Sequence, residues 1–318
     1  MPIDAKIIAP STRQDWLNER RGVVGASEMP SLFGEPDDQD VPSWVSLFRL
    51  FSIKTGMAKD AEENGAMRRG RLLEPVAIQI IREEHPDWTV QYNTLPNLQY
   101  FVDADNRIGA TPDAFVKIPG RLGRGIIQIK SVERTAFRKR WLQDGAVVPP
   151  IYVAIQASIE CEITKSQYAC IAPIVVGHGI ELPLQEIPLT PGLYAAAAAR
   201  SRAFWEKVDR GEPYEPDYNK DGDLIREIYA EAAPGKEIDI SGDNEVMELA
   251  ENDRVLSGIE KETLAARKEV KARMLVKMGD AEIARFNGSV IATARTVHKK
   301  GYEVKPTSFR SIKFKGSE

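Results

Sequence analysis

Ala110-Thr-Pro-Asp-Ala-Phe-Val-Lys-Ile118, a turn rich in glycine and arginine, and then Gly125-Ile-Ile-Gln-Ile-Lys-Ser131 form the stretch around which the rest of the chain is read. Both halves are β-branched and apolar, and Pro119, Gly120, Gly123 and Gly125 interrupt them, so the pair reads as a β-hairpin. Side chains alternate along a strand, which puts Gln128 and Lys130 on one face and Ile127 and Ile129 on the other. Asp113, at the start of the first strand, comes to lie beside them. Two oxygen ligands for a hard cation, with a lysine to steady an attacking water or a developing negative charge, are what Mg2+-dependent phosphodiester cleavage requires. A Pro-Asp pair is also an ordinary turn starter and Gln-Ile-Lys is a short pattern, so this reading needs support from elsewhere in the chain.

At 318 residues the chain can bury a full core and carry an addition. A composition break at 212–218, rich in Pro, Glu and Tyr, divides it into a main domain, 1–215, and a C-terminal extension, 216–318. No stretch is apolar and long enough to cross a bilayer, and the first residues lack the apolar core of a signal peptide, so a cytoplasmic location, with no membrane partner, is expected. Cys161 and Cys170 are too few for a disulfide framework and make no zinc site; His85, His178 and His298 stand in no ligand spacing. The net charge of −4 conceals two basic stretches. Residues 117–142 hold eight Lys and Arg against Glu133 alone, and 289–315 hold seven against Glu303 alone. Such local excess on an acidic protein suits a polyanion, although a charge run is usually a solvated face.

Thr12 with Asp15 predicts a capped helix that ends near Arg20-Arg21. The small-residue turn at 22–28 is expected to lead into another helix whose start, with Ser27 and Arg20, suits a phosphate; Ser27 as a plain N-cap is the competing reading. Ser43 is expected to cap an amphipathic segment, 44–54, with Trp44, Leu47, Phe48 and Phe51 inward. Gly70 opens a predicted helix to about 84, with Pro75 in its first turn, Leu72, Leu73, Val76, Ile80 and Ile81 inward, and Glu74 either a first-turn acid or a carboxylate aimed at a metal. Strands within 88–103 precede the hairpin, and 134–144 reads as a basic helix. A helix at 151–163 places Tyr152 and Gln156 on one face. Strands follow at about 167–176 and 180–188, then helices at 191–210 and 221–233. Residues 244–278 read as one long charged helix packed against its own chain, and Asn287-Gly288 marks a hairpin turn in the alternating 281–297 stretch, with a second alternating stretch at 302–315.

In combination these residues resemble the lambda exonuclease and YqaJ family of phage recombination nucleases, a branch of the PD-(D/E)XK superfamily. The resemblance covers roughly residues 16–164 and rests on four motifs in order: Arg20 to Ser27, Gly70 to Glu74, Thr111-Pro-Asp113 with Gln128-Ile-Lys130, and Tyr152 to Gln156. It implies an α/β (α+β) restriction-endonuclease-like core, a mixed central sheet flanked by helices, followed by a helical and β-hairpin extension. It further implies a 5′-to-3′ exonuclease acting on double-stranded DNA ends with Mg2+, for which Mn2+ substitutes. Carried over by position, Asp113, residue 128 and Glu74 hold the metal, Lys130 orients water, and Arg20, Ser27, Thr111 and Gln156 grip the 5′ phosphate. Asp103 falls near a further acidic position. A ring-shaped homo-oligomer, a phage single-strand annealing protein as partner and a bacterial host cytoplasm follow from the same resemblance.

One departure stands out: the family carries Glu or Asp where this chain has Gln128. An amide oxygen ligates Mg2+ without bringing charge, so metal affinity and turnover are expected to fall, and Gln128→Glu to raise digestion. Gln128 fits either a natural variant or a residue changed to hold substrate without cutting it. Two other functions stay open on the sequence, an endonuclease of the restriction or repair kind with the same fold and a catalytically weakened DNA-end-binding protein.

Overall fold

The computed structural model describes residues 3–34, 45–60, 62–298, 310 and 312. In chain order, β1 (Lys6–Ile8) and α1 (Arg13–Arg21) precede β2 (Val24–Gly25), a single 3-10 turn (Met29–Leu32), α2 (Leu47–Lys54) and α3 (Gly65–Glu84). Then come β3 (Thr89–Tyr92), β4 (Tyr100–Asp103), β5 (Ile108–Ala110), β6 (Ala114–Lys117), β7 (Gly125–Glu133) and α4 (Arg134–Arg140). A small hairpin, β8 (Leu142–Gln143) and β9 (Ala146–Val147), leads to α5 (Ile151–Ile163), β10 (Tyr168–Val176), β11 (Ile180–Glu181), β12 (Gln185–Ile187), α6 (Leu193–Arg210) and α7 (Tyr218–Ile228). The chain continues through α8 (Glu245–Met278), β13 (Ile283–Phe286) and β14 (Ser289–Thr293). It forms two compact units, Met1–Ile228 and Tyr229–Glu318. A hydrogen bond of 2.7 Å from Ser46 Oγ to Asp221 Oδ1 ties α7 to α2 within the first unit.

The central sheet has the order β11-β10-β7-β6-β3, with β12 also on β10. It is mixed, as expected: β7 pairs with β10 in parallel and with β6 antiparallel. Ile127 and Ile129 of β7 pack on α3 through Ala77, Ile78 and Ile81, whereas Ile126 and Val132 belong with Val153, Ile155 and Ile159 of α5. The core is thus a two-faced sheet between α3 and α5, built in the order α3-β3-β6-β7-α5-β10. Gly125 starts β7 beneath Tyr168, and a Cβ there would come within 2.1 Å of that ring. A second sheet, β1-β4-β5-β2, lies beside it in the chain's topology.

Several local expectations are corrected. The hairpin stretch begins in two sheets: Ala110 ends β5, and Thr111-Pro112-Asp113 cross to β6. Helix α3 starts at Gly65, because Asn64 Oδ1 caps it by accepting from Met67 N at 2.9 Å. Glu74 and Pro75 are therefore interior residues, with Pro75 on the exposed side, where a lost backbone bond costs least. Its inward stripe is Ala77, Ile78 and Ile81, while Leu72 and Val76 are exposed. Ser46 caps α2, its Oγ accepting from Arg49 N at 3.0 Å; Ser43 and Trp44 lie outside the described residues. Ser27 caps nothing, since only the short 3-10 turn follows and Glu28 is its N-cap residue. The predicted 134–144 helix stops at Arg140, because Asp144 and Gly145, both at positive φ, form the two-residue turn of β8–β9.

In the second unit the 34-residue α8 is present, but it does not pack as expected: Met278 is its one buried residue. Leu249, Leu256, Ile259, Leu264 and Val270 are exposed, so the three-four spacing within 256–270 buries no face in this unit. Asn287-Gly288 does turn β13 into β14. The alternating stretch expected at 302–315 lies outside the described residues, apart from 310 and 312.

The Thr12–Asp15 capping box is reciprocal, with bonds of 3.1 and 3.0 Å. It points α1 at an ion triad in which Glu28 accepts from Arg20 Nη2 at 3.0 Å and from Lys54 Nζ at 2.8 Å. Burial works to raise the Glu28 pKa, but the charges of Arg20 and Lys54 outweigh it and hold the carboxyl below its ordinary value. The Lys54 side chain is 2% exposed, so an ammonium left without its counter-charge has no access to water. Glu28→Gln is expected to cost about 3 kcal/mol in urea unfolding, the magnitude typical of breaking one side of a buried pair. A loss under about 0.5 kcal/mol, the scale of a surface pair, would show the triad to be solvated.

Candidate active site

Ala114 of β6 pairs with Ile127 of β7. One step outward, Asp113 and Gln128 therefore face each other where β6 stops, while β7 runs on to Glu133 with that flank open. Asp113 Oδ2 accepts from Gln128 Nε2 and from the Ile129 backbone N–H, both at 2.6 Å. The crossing segment is held from behind by Asn93, whose Nδ2 donates to Pro112 O at 2.9 Å and whose backbone N–H donates to Asp113 O at 2.9 Å. Glu74 sits four residues before Ile78 and seven before Ile81, so it extends the sheet-facing stripe of α3 to the same end. Tyr92 donates to Glu74 Oε2 at 3.2 Å.

A cleft of about 880 Å³ brings together Glu74, Asp113, Lys130, Ser27, Thr111 and Gln156. Gln128 and Arg20 do not line it. Gln128 is buried behind Asp113, and Arg20 is turned to Glu28 with its guanidinium over the Trp16 ring, 4.7 Å from the centroid. Trp16 also donates to Thr111 Oγ1 at 3.1 Å, joining α1 to the cleft. Gln156 has both ends engaged: Oε1 accepts from Lys130 Nζ at 2.9 Å and Nε2 donates to Glu160 Oε1 at 2.9 Å. Asp103 stands apart from the cleft, on β4, accepting from Tyr194 and Asn106. Glu160, on the buried side of α5, is the residue that sequence reading passed over; its signal was an acid four residues after Gln156, on the same face of a mostly apolar helix.

Withdrawal from water raises the Asp113 pKa, and the neighbouring charge of Glu74 raises it further. Burial likewise raises Glu74, against the Tyr92 hydrogen bond and the charge of Lys130. Glu160 is pushed up to about 8, by burial first and then by Asp113. Among the described residues no three His, Cys, Asp or Glu side chains gather as a metal cluster, since position 128 supplies an amide. The residues nonetheless fit a divalent cation. Gln128 Oε1 is buried with no hydrogen-bond partner, and two neighbouring carboxyls are each disfavoured in their charged form, which a cation between them would reverse.

Residues 15–167 match the YqaJ-like viral recombinase domain family. Among solved structures, the chain is similar to an alkaline exonuclease from Laribacter hongkongensis, at 18% identity over 67% of this chain and 98% of that one, with a TM-score of 0.47. It is also similar to a phage-related exonuclease from Haemophilus somnus, at 13% identity over 59% and 94% of the two chains, with a TM-score of 0.40. No curated protein matches the chain.

The buried acids set a pH dependence. A carboxyl raised from 4.5 to about 8 is protonated in the folded chain and ionised in the unfolded one between those values. The folded state there binds the extra proton, so its stability is fully present below pH 4.5 and is lost as pH rises through about 8. Without divalent cations the Tm is expected to fall from pH 5 to pH 9, and Glu160→Gln to remove about 5 °C of that fall, roughly 2 kcal/mol for a domain of this size. An unchanged slope in the variant would show that Glu160 is ionised throughout.

Proposed function

Because residues 15–167 belong to the YqaJ-like viral recombinase family, we propose that this chain is a metal-dependent exonuclease that digests double-stranded DNA from its ends, 5′ to 3′, and exposes the strands that phage-type recombination anneals. One observation carries the reading: Asp113, Glu74 and Lys130 meet in a single cleft inside the matched residues. Asp113, Glu74 and Gln128 Oε1 would hold Mg2+, with Mn2+ as a substitute. A cation bound there would supply Lewis acidity to a water and to the scissile phosphate. Lys130 Nζ, held by Gln156, donates to the phosphate oxygen on which charge develops. The hydroxyls of Ser27 and Thr111 take the terminal 5′ phosphate, and Arg20 contributes positive charge from the far side of Trp16. A pocket for a terminal phosphate gives the enzyme its start at an end. The same reading includes a ring-shaped homo-oligomer threaded by DNA, a single-strand annealing protein as partner, and action in the bacterial host cytoplasm.

The test is a set of substrates: linear duplex with and without a 5′ phosphate, and a closed circle, each in Mg2+ or in EDTA. The phosphorylated linear duplex is expected to be degraded fastest, the circle to survive, and nothing to be cut in EDTA; loss of the circle would make the protein an endonuclease. Asp113→Ala and Lys130→Ala are each expected to slow digestion by about 1,000-fold, some 4 kcal/mol in the barrier, with duplex binding retained. Gln128→Glu keeps the side chain's shape but sets a second carboxylate against Asp113. Its Tm is expected to drop in EDTA and recover in Mg2+, with faster digestion at saturating Mg2+; a Tm indifferent to Mg2+ would remove residue 128 from the metal site.

A further inference from the structure

Glu160 is 2% exposed and Gln128 3%, and each has one oxygen, Glu160 Oε2 and Gln128 Oε1, buried without a hydrogen-bond partner. The two belong opposite each other. Strands β7 and β10 are parallel, so α5, which joins them, returns antiparallel to β7. Lys130 meets Gln156 at 2.9 Å. From that contact, two residues back along β7 to Gln128 covers about 6.6 Å, and four residues on along α5 to Glu160 covers about 6 Å in the same direction. Asp113, bonded to Gln128, lies near enough for its charge to act on Glu160.

We propose that Glu160 is a positioning residue of the cleavage step: it fixes the Gln156 amide so that Gln156 Oε1 holds Lys130 toward the cleft, and its carboxyl supplies from α5 the acid that β7 lacks at position 128. An amide has two ends of nearly equal shape, and an acceptor on one side decides which end faces Lys130. Gln156 Nε2 donating to Glu160 makes that choice and leaves the carbonyl for the ammonium. Gln128 matches this arrangement, because its amide can donate to Asp113 where a carboxylate could not.

The proposal rests on the nuclease reading, and its test separates the two. Glu160→Gln keeps shape and burial but removes the acid. It is expected to lower kcat on a 5′-phosphorylated duplex by at least about tenfold, to leave KM for ends within about twofold, and to leave the Tm at pH 7 undiminished. The exchange variant Gln128→Glu/Glu160→Gln, which returns the acid to the strand, is expected to recover most of that rate and to bind Mn2+, followed by electron paramagnetic resonance, more tightly than Glu160→Gln alone. A Glu160→Gln protein with unchanged kcat, or an exchange variant no faster than it, overturns the proposal. If the unmodified protein cuts no duplex in Mg2+ or Mn2+, the nuclease reading itself is lost. The positioning role is then decided by the Gln156 side-chain amide protons in nuclear magnetic resonance. They are expected to be shielded from solvent exchange in the unmodified protein and to exchange in Glu160→Leu; shielding that survives in Glu160→Leu overturns it.

Discussion

The site depends on one oxygen atom. Asp113 Oδ2 accepts the Ile129 backbone N–H and the Gln128 amide, which closes the β6–β7 pairing with a side chain where β6 runs out of backbone. An unpaired N–H on the flank of a buried strand is costly, so the carboxyl is fixed as firmly as a strand residue would be. The segment Thr111-Pro112-Asp113 crosses between two sheets at that point, and Asn93 grips it from the other side. A flexible acid on a loop is thereby made a rigid one at the mouth of a cleft.

Two clusters of buried charge handle the same cost in opposite ways. Around Glu28, two cations face one carboxylate, and the pairing keeps it ionised. Around Asp113, carboxyls face one another with Lys130 as the nearby cation, and burial drives them toward the neutral form. The first arrangement is complete without any ligand and belongs to the scaffold that orients α1. The second is complete only when further positive charge arrives, the usual condition of a site that binds a cation and a phosphate.

The helices on the two faces of the central sheet divide the work. From α3 comes Glu74, the outward continuation of the stripe Ala77, Ile78 and Ile81. From α5 come Gln156 and Glu160, polar residues in a helix that is otherwise nearly all buried and apolar. In the second unit, α8 buries only Met278, so the forces that order the first unit, apolar faces meeting across a sheet, are not those that shape this helix.

The sequence by itself determined the strands of the central sheet, the facing of Asp113 against Gln128 and Lys130, the α5 helix, and the Thr12 and Asn287-Gly288 signals, because each depends on periodicity or turn chemistry within a few residues. It also carried the family resemblance, since motif order survives without knowledge of contacts. Tertiary structure decided what those rules do not reach. The helix carrying Glu74 began earlier than its apolar stripe suggested, at an Asn64 cap, and which stripe faced inward depended on the sheet it met. Arg20 was a free cation in the sequence and is one corner of an ion triad in the fold. Glu160 drew no reading from the sequence, and only the packing of α5 against β7 links it through Gln156 to Lys130, because distance across a sheet–helix interface is not written in the spacing along either chain segment.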